Sequence, residues 1–484
     1  MQTLKTINFI ISVVFFVCYA YQFLYIPAVL WLRRRRAALP AAPASNHYAI
    51  LICARNEATV IGDLLASLRA QTYPRELLTV YVLADNCTDD TARIAREGGA
   101  VVYERFNRQQ VGKGYALQTL LTHIARDVPA GYDGYFVFDA DNLLSPDYIE
   151  QMNRTFSAGH DIITSYRASK NYGDNWISAG YALWFLRESR YLNHARSLLG
   201  TSCAVSGTGF LFSRAVLEET GPWPFHLLTE DIEFSIHEIL QGRKIAFCPD
   251  AVLYDEQPTT FRQSWRQRLR WSKGYLQVFQ RYGTRLLGGV LRGNFSCFDM
   301  SMAIMPAFVL STVSIASNLA LAVWGVWTGG SILIALQSLG QMLLSMYLTL
   351  FVIGAITTVT ERRHIHTGRA RAACSMPSRS RCLCLPISPS RWPRSSARGS
   401  GNPSSTASAP PRCAAAAARS CCHSEPLRRR KSCIIFLSAT MKRTSSPPCA
   451  SISPPRATAC SRPGTARRHS RSSTARTSIW RCWT

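Results

Sequence analysis

The sequence predicts an α/β cytoplasmic domain with a doubly wound, Rossmann-like sheet, flanking transmembrane helices and a disordered C-terminal tail. Short apolar runs alternate with helical patterns between residues 48 and 258. Such alternation favours a mostly parallel sheet with helices on both faces. Uncharged stretches lie on either side of this region, at residues 6–32 and 300–360, and each exceeds the roughly 20 residues that span a membrane. Beyond residue 370 hydrophobic periodicity is lost.

Composition and charge exclude several classes of protein. The chain has 484 residues, of which 47% are hydrophobic and 17% charged, so it is neither a small disulfide scaffold nor wholly disordered. Its net charge of +26 is concentrated in residues 371–484, which hold 21 Lys and Arg against one acid. Because the preceding 370 residues are only mildly basic, we expect no nucleic-acid partner. The cysteines show no C-x-x-C pair, so we expect no zinc site.

Residues 1–36 are predicted to form an N-terminal transmembrane anchor. The uncharged run at 6–32 is followed at once by four arginines at 33–36. A cleaved signal peptide is the alternative, but this run is too long and its charge cluster lies on the C-terminal side. The positive-inside rule places the arginines, and the domain after them, in the cytoplasm.

The main domain is predicted over residues 46–260. Its strands are expected at 48–53, 79–84, 100–103, 135–138 and 161–165, where β-branched and aromatic residues cluster. Helices are expected at 59–69, 89–97, 113–126, 145–156 and 231–240. The helix at 145–156 begins with Ser145-Pro146-Asp147, which reads as an N-cap residue followed by proline at the first helical position.

Charged side chains follow three of the predicted strands. Arg55 and Glu57 follow the first strand, Asp85 the second, and Asp139 and Asp141 the fourth. A single acid at a strand end is often only a helix cap, but ligands of parallel sheets bind beyond these ends, and gathered like charges repel unless a cation compensates. The Asp-x-Asp pair supplies hard oxygen ligands suited to Mg²⁺ or Mn²⁺ on a diphosphate.

The segments after this sheet are predicted to approach and cross the membrane. An acidic turn at 228–233 opens the helix at 231–240, where first-turn acids also suit the helix dipole. Residues 261–298 are expected to form an interfacial amphipathic region on the membrane surface. Residues 299–361 are expected to form two transmembrane helices, separated at Thr328-Gly329-Gly330. Three spans in all leave both basic flanks on the cytoplasmic side.

An ordered set of motifs over residues 48–282 resembles that of the membrane-bound family-2 glycosyltransferases, which include cellulose, hyaluronan and chitin synthases. These motifs are Ala54-Arg55-Asn56-Glu57, Asp85, Gly112-Lys113-Gly114, Asp139-x-Asp141, Ser206-Gly207-Thr208-Gly209, Thr229-Glu230-Asp231 and Gln267-x-x-Arg270-Trp271. The resemblance implies a GT-A fold and an inverting transfer from a nucleotide-sugar, most often a UDP-sugar, to a carbohydrate or lipid-linked acceptor. The last motif favours a polysaccharide product.

The resemblance also implies a role for each residue. Asp231 would be the general base, and Asp139 and Asp141 would hold Mg²⁺ or Mn²⁺. The remaining assignments are Arg55, Glu57, Asp85, Lys113, Asp139, Gln267 and Arg270 to the nucleotide-sugar, and Gly207, Thr208, Glu230 and Trp271 to the acceptor. We therefore expect an integral protein of a bacterial plasma membrane, in contact with membrane lipid, with its catalytic domain cytoplasmic. The oligomeric state, the sugar, and processive or single addition stay open.

Two other functions are compatible with parts of this pattern. A nucleotidyltransferase also combines an α/β sheet with an acidic metal site, although it would not need the Thr229-Glu230-Asp231 or Gln267-x-x-Arg270-Trp271 motifs beside a membrane. An inactive truncated pseudoenzyme or membrane scaffold is the other alternative. Failure to bind a nucleotide with a divalent metal would favour the latter.

Residues 371–484 are predicted to be a disordered basic tail. They contain no Tyr and no Asp and are dominated by Ser, Arg, Ala, Pro and Cys, a composition that cannot bury enough apolar area to offset ordering entropy. A frameshift in GC-rich coding DNA is the explanation we expect for this composition, because the family that the motifs resemble normally continues past this point with further membrane helices. A basic RNA- or membrane-binding arm and a genuine disordered extension are the alternatives. Translation of the other two reading frames after Thr367 tests the frameshift.

Overall fold

The computed structural model describes residues 2–32, 43–304, 306–327 and 332–365. The arginines at 33–36, the predicted break at 328–330 and the predicted disordered tail at 371–484 lie outside the described residues. In the described part, eight strands form one sheet in the order β3-β2-β1-β4-β7-β6-β8-β5. They are β1 Tyr48–Ala54, β2 Leu78–Asp85, β3 Val101–Arg105, β4 Gly134–Asp139, β5 Leu143–Leu144, β6 Ile162–Ser169, β7 Phe210–Ser213 and β8 Ile245–Asp255.

The sheet is mixed, but six of its eight described strands run in one direction, as the prediction of a mostly parallel sheet requires. Strands β1 to β4 are parallel to one another, with Tyr48 aligned with both Leu78 and Gly134. Strand β7 runs antiparallel to both of its neighbours, β4 and β6, and β5 runs antiparallel to β8, whereas β8 is parallel to β6. All five predicted strands are confirmed, with shifted ends. Strands β5, β7 and β8 were not predicted, and β7 changes the strand direction at the middle of the sheet.

The helices of the main domain cover both faces of the sheet. They are α2 Ile61–Arg69, α3 Thr91–Glu97, α4 Lys113–Asp127, α5 Tyr148–Phe156, α6 Trp176–Arg187, α7 His194–Leu198, α8 Arg214–Thr220 and α9 Glu230–Leu240, with a π-helix, Glu188–Asn193, joining α6 to α7. Buried side chains of α4 and α9 pack on one face, and those of α2 and α5 on the other. The prediction of helices on both faces is confirmed.

The predicted N-cap at Ser145 is wrong. Helix α5 begins at Tyr148, after Asp147, which makes no side-chain capping hydrogen bond. The backbone N–H of Ser145 instead donates to the Val252 carbonyl at 2.9 Å, next to the pairing of β5 with β8. The Ser145 carbonyl accepts from the Gln71 amide, also at 2.9 Å. Tertiary pairing therefore holds this residue outside the helix.

The remaining helices flank the main domain in sequence. They are α1 Gln2–Leu32, α10 Phe261–Leu291, α11 Phe295–Ile304, α12 Pro306–Trp327 and α13 Ile332–Thr360. Among the described residues, two segments are long and apolar enough to cross a membrane, Phe9–Leu32 and Leu339–Thr360, and only 6% of each is buried in the protein. The third predicted span corresponds to α12, which is not one of these two segments, so three spans stay a prediction.

A buried ion pair connects α1 and α11 to the main domain. Arg196 of α7 pairs with Asp299 of α11 at 2.6 Å, and both side chains are almost fully buried. The phenols of Tyr21 and Tyr25 in α1 donate to the same carboxylate at 2.7 and 3.1 Å. Three elements that are distant in sequence therefore meet at one carboxylate.

Helix α10 is the longest helix after the main domain and packs against the start of α9. Its N-terminus has a capping box in which Thr260 and Gln263 satisfy each other's backbone N–H groups. A Cβ at Gly274 would lie 2.5 Å from the Thr229 side chain, so only glycine allows this approach. Phe261, Trp265 and Leu269, four residues apart, are all exposed. They form an apolar stripe, as an interfacial helix requires.

Candidate active site

The first part of the site lies at the carboxyl ends of β1 and β2. Asp85 is 6% exposed, and its carboxylate accepts from Arg55 at 3.3 Å, Arg105 at 2.7 Å and Asn86 at 2.9 Å. Arg105 also donates to the Gln110 carbonyl at 2.7 Å, which fixes the loop leading to Lys113. The structure therefore places the predicted residues Arg55 and Asp85 together and adds Arg105.

Lys113 connects two motifs that are 68 residues apart in sequence. It begins α4, and its ammonium forms an ion pair with Asp139 at the end of β4. The same ammonium donates to the Gly207 carbonyl at 2.8 Å. Burial alone would lower the pKa of Lys113, but the carboxylates of Asp139 and Glu230 raise it above its usual value. Lys113 is thus a fixed positive charge at the centre of the cleft.

A buried hydrogen-bond network holds the Asp139-x-Asp141 turn. The Asp139 N–H donates to the Thr208 hydroxyl at 2.9 Å and to the Asn142 side-chain oxygen at 3.0 Å. The Asn142 amide donates to Asp255 at 3.0 Å, and Arg167 donates to the other oxygen of Asp255 at 3.1 Å. The turn, the 206–209 segment and the end of β8 are therefore one connected unit.

The Ser206–Gly209 turn needs its two glycines for different reasons. Gly207 has φ of 77°, and a Cβ there would lie 3.9 Å from both the Asp231 carboxylate and the Arg167 guanidinium. Gly209 has φ of 68°, and a Cβ would come within 2.6 Å of Leu253. Thr208, which was predicted to bind the acceptor, is buried, and its hydroxyl accepts a hydrogen bond from the Asp139 N–H. At Gly207 there is therefore free space between the backbone and the Asp231 carboxylate.

Two adjacent carboxylates open α9 in the same cleft. Burial, Asp231 and the other nearby acids raise the pKa of Glu230 to about 7, while Lys113 opposes this shift. Burial also raises the pKa of Asp231, against the effect of the Ile232 backbone N–H and of Lys113. A general base works best when its pKa lies near the working pH. The environment of Asp231 raises its pKa, and so moves it toward neutral pH.

The Gln267-x-x-Arg270-Trp271 motif lies on α10. The Gln267 side-chain oxygen is buried and has no hydrogen-bond partner among the described residues. Arg270 is exposed. Trp271 is partly buried against Tyr181 and Phe185, at ring-centroid distances of 5.9 and 6.3 Å. The predicted aromatic face therefore belongs to a cluster of three rings, two of which come from α6.

The end of the cleft around Asp139 and Asp141 has an excess of negative charge that fits a divalent cation. Burial, Asp255 and Asp139 raise the pKa of Asp141 to about 8, and burial with Asp139 raises that of Glu57 to about 7. A cation would relieve this repulsion. Within the described residues, no group of three His, Cys, Asp or Glu is placed to hold a metal alone. Phosphate or water oxygens would complete its coordination, as is usual for Mg²⁺.

Four residues of this site were not predicted: Arg105, Asn142, Arg167 and Asp255. Asn142 directly follows the Asp-x-Asp pair, and a buried polar residue at that position could have been suspected. The other three act through pairing with residues more than 15 positions away, which no local pattern reveals. Asp255 was hidden because β8 itself was not recognised.

These features form one cleft on a mixed α/β sheet, and comparisons with known proteins show what this part of the chain is similar to. Residues 43–274 match the model of the glycosyltransferase-like family 2. A solved mannosyltransferase from Pyrobaculum calidifontis, in complex with GDP-Man and Mn²⁺, has a similar fold, with a TM-score of 0.50 and 19% identity over 75% of this chain and 98% of that one. The predicted resemblance to the family-2 glycosyltransferases is therefore confirmed over residues 43–274.

Curated relatives match the same region at low identity. A probable glycosyltransferase YdaM of Bacillus subtilis is 26% identical over 250 residues, 48% of this chain and 56% of that protein. The beta-monoglucosyldiacylglycerol synthase of a Nostoc species is 27% identical over 280 residues, 55% and 56% of the two chains. The poly-beta-1,6-N-acetyl-D-glucosamine synthase of Staphylococcus epidermidis is 25% identical over 233 residues, 48% and 55%. The chain thus spans about half the length of these relatives.

Proposed function

We propose that this protein is an inverting glycosyltransferase that moves a sugar from a nucleotide-sugar to a carbohydrate or lipid-linked acceptor at the cytoplasmic face of a membrane. The observation that carries this proposal is the Lys113 ammonium, which bridges Asp139 and the Gly207 carbonyl. Through this bridge the Asp-x-Asp turn, the Gly207 turn and the Asp231 carboxylate meet in one cleft. A donor diphosphate and an acceptor hydroxyl would need these three elements side by side.

In the proposed reaction the acceptor hydroxyl oxygen attacks the anomeric carbon of the donor. The bond from that carbon to the diphosphate oxygen breaks, and its electron pair leaves with the nucleoside diphosphate. Asp231 takes the hydroxyl proton, because it is the carboxylate that lies beside the open Gly207 backbone. Attack opposite the leaving group inverts the anomeric configuration.

The proposed donor-binding residues come from β1, β2, β4 and α10 and from the start of α4. Arg55 and Asp85 would bind the nucleoside, with Arg105 fixing Asp85 from behind. Lys113 would supply positive charge toward the diphosphate, and Gln267 offers a buried side-chain oxygen that has no hydrogen-bond partner among the described residues. Asp139 and Asp141 would hold Mg²⁺ or Mn²⁺, which when bound would offset charge on the departing diphosphate. A UDP-sugar is the donor we expect.

The membrane placement rests on two apolar segments and one exposed helix face. Phe9–Leu32 and Leu339–Thr360 are apolar enough to span a bilayer. The stripe of Phe261, Trp265 and Leu269 would rest on its surface, with arginines beside it meeting lipid phosphates. A bacterial plasma membrane, with the main domain in the cytoplasm, is the placement we propose.

The test is a panel of nucleotide-sugars offered to the membrane-inserted protein with Mn²⁺, Mg²⁺ or EDTA. We expect metal-dependent release of a nucleoside diphosphate from one donor, and a product whose anomeric configuration is opposite to that of the donor. Release of pyrophosphate would indicate a nucleotidyltransferase instead. No nucleotide binding with either metal would indicate an inactive scaffold.

A further inference from the structure

A π-helix lies next to the acceptor side of the cleft. Helix α6 ends at Arg187, and the π-helix Glu188–Asn193 continues it without a break. Such insertions are rare and often occur at functional sites, because the extra residue turns the following side chains out of helical register. Glu188 is the first residue of this insertion.

Glu188 lines a small cavity beside the Gly207 turn. The cavity measures about 10 Å³, which is room for about one water molecule, and its other walls include Arg167, Phe185, Ser206 and Thr208. Ser206 and Thr208 flank Gly207, where an added Cβ would lie 3.9 Å from an Asp231 carboxylate oxygen. Glu188 and Asp231 are therefore both adjacent to one short turn. Burial raises the pKa of Glu188, Arg167 and Ser206 oppose this, and Asp231 adds to it.

The two arginines near Glu188 form ion pairs with other carboxylates. Arg167 pairs with Asp255 and stacks on the Phe185 ring at 3.7 Å. Arg196 pairs with Asp299 at 2.6 Å. Glu188 forms no ion pair with Lys or Arg in the described part of the chain, and Ser206 is a side-chain hydrogen-bond partner. A carboxylate can accept about four hydrogen bonds, so it keeps capacity for more than this one.

An aromatic surface adjoins this carboxylate. Phe185, one turn before Glu188, lines the same cavity and contacts the Trp271 ring edge to face at 6.3 Å. Sugars bind to proteins through an aromatic face together with side chains that accept their hydroxyl protons in hydrogen bonds. Phe185 is buried, so the partly buried Trp271 ring that it contacts supplies the aromatic face, and Glu188 supplies the hydrogen-bond acceptor near the Gly207 turn.

We infer that Glu188 is an acceptor-binding residue, whose carboxylate accepts a hydrogen bond from a second hydroxyl of a polyhydroxylated acceptor while Asp231 serves the attacking hydroxyl. This inference rests on the proposed function and deepens it. A hydrogen bond between Glu188 and a second hydroxyl would favour binding of an acceptor that carries a sugar over binding of an acceptor with a single hydroxyl. Glu188 fixes the acceptor's orientation and takes no proton in the reaction.

The test compares Glu188→Ala and Glu188→Gln with the wild type, all as full chains in membranes. Hexose and N-acetylhexosamine disaccharides serve as polyhydroxylated acceptors, and diacylglycerol in vesicles serves as the acceptor with one hydroxyl. Glu97→Gln is the control, because Glu97 is an exposed residue on α3. The measured quantities are KM for each acceptor, KM for the donor, donor hydrolysis and the thermal midpoint.

We expect Glu188→Ala to raise KM for a disaccharide by about tenfold or more, as the loss of a hydrogen bond to a charged group implies. Donor KM should stay unchanged, a larger share of donor should go to hydrolysis, and Glu188→Gln should be intermediate. Unchanged disaccharide KM in both variants, or transfer only to diacylglycerol, overturns the inference. If Glu188→Ala does not fold, the Glu188→Gln values decide. A wild type that releases no nucleoside diphosphate refutes the proposed function itself.

Discussion

Asn142 and Asp255 form a fully buried hydrogen bond of 3.0 Å that ties the Asp-x-Asp turn to the end of β8. The other Asp255 oxygen binds Arg167, so this one carboxylate orients both the turn and the guanidinium beside Gly207. Neither Asn142 nor Asp255 would touch the donor in the proposed reaction. Their effect on the reaction would be through the position of Asp139 and Asp141.

Asp255→Asn should therefore lower activity without removing a metal ligand. We expect kcat and the apparent Mn²⁺ affinity to fall on the order of 10–100-fold, as is found when residues behind metal ligands are changed. The neighbouring Glu256→Gln is the control, since Glu256 is 52% exposed and its ion-pair partner in the described part of the chain is Lys170. A metal titration of activity measures both. An Asp255→Asn variant with the wild-type metal response would show that the network does not position the turn.

The two glycine substitutions Gly209→Ala and Gly159→Ala should differ sharply. Both glycines have positive φ, 68° at Gly209 and 90° at Gly159, so backbone strain should lower the free energy of unfolding of each alanine variant by roughly 1 kcal/mol. Only at Gly209 would the new Cβ also meet Leu253 at 2.6 Å and Ser165 at 2.7 Å. We expect Gly209→Ala to be the less stable by about 1–3 kcal/mol. Thermal unfolding in detergent compares them, and equal midpoints would contradict the packing described at this turn.

The Arg196–Asp299 pair should show strong non-additivity. Replacing Asp299 by Leu leaves the buried Arg196 uncompensated and should cost about 3–5 kcal/mol. The double variant Arg196→Leu/Asp299→Leu should recover most of that loss, because no charge is then left buried alone. The folded yield and thermal midpoint of the two single variants and the double variant form the cycle. Additive effects would mean that the two side chains do not interact.

The stability of the metal-free protein should fall as pH rises from about 4 to 7. Glu230 has a pKa raised to about 7, whereas glutamate in an unfolded chain has a pKa of about 4.3. Over this window the folded state binds more protons than the unfolded state, so each rise in pH favours unfolding. The pH dependence of the thermal midpoint should be flatter in Glu230→Gln. An equally steep profile in this variant would assign the effect to other carboxyls.

Much of the fold could be predicted because the first strands are continuous buried apolar runs. Strand β1 is confirmed with only one residue added at its end. Strand β8 was missed for a physical reason, since Pro249 interrupts its pattern at the bulge where the register with β6 shifts between Ser165 and Tyr166. The antiparallel β7 spans only four residues, too few for a strand pattern to be recognised.

The site was predicted only where residues follow strand ends or belong to a motif. Asp85 and Asp139 end β2 and β4, which both run parallel to β1 between them, so their carboxyl ends share one edge of the sheet. The bridge from Lys113 to Gly207 and the ion pair of Arg167 with Asp255 depend on how loops fold back over that edge. Such tertiary pairings have no sequence period, so no local pattern reveals them.

The most direct measurement of the central claim is sugar transfer by Asp231→Asn with donor binding measured in the same preparation. The account predicts that transfer falls by about 10²–10⁴-fold, the usual contribution of a general base, while nucleotide-sugar affinity with Mn²⁺ stays within about twofold of wild type. Glu230→Gln serves as the adjacent comparison. Transfer that survives in Asp231→Asn, or that is lost together with donor binding, would contradict the assignment of Asp231 as the base.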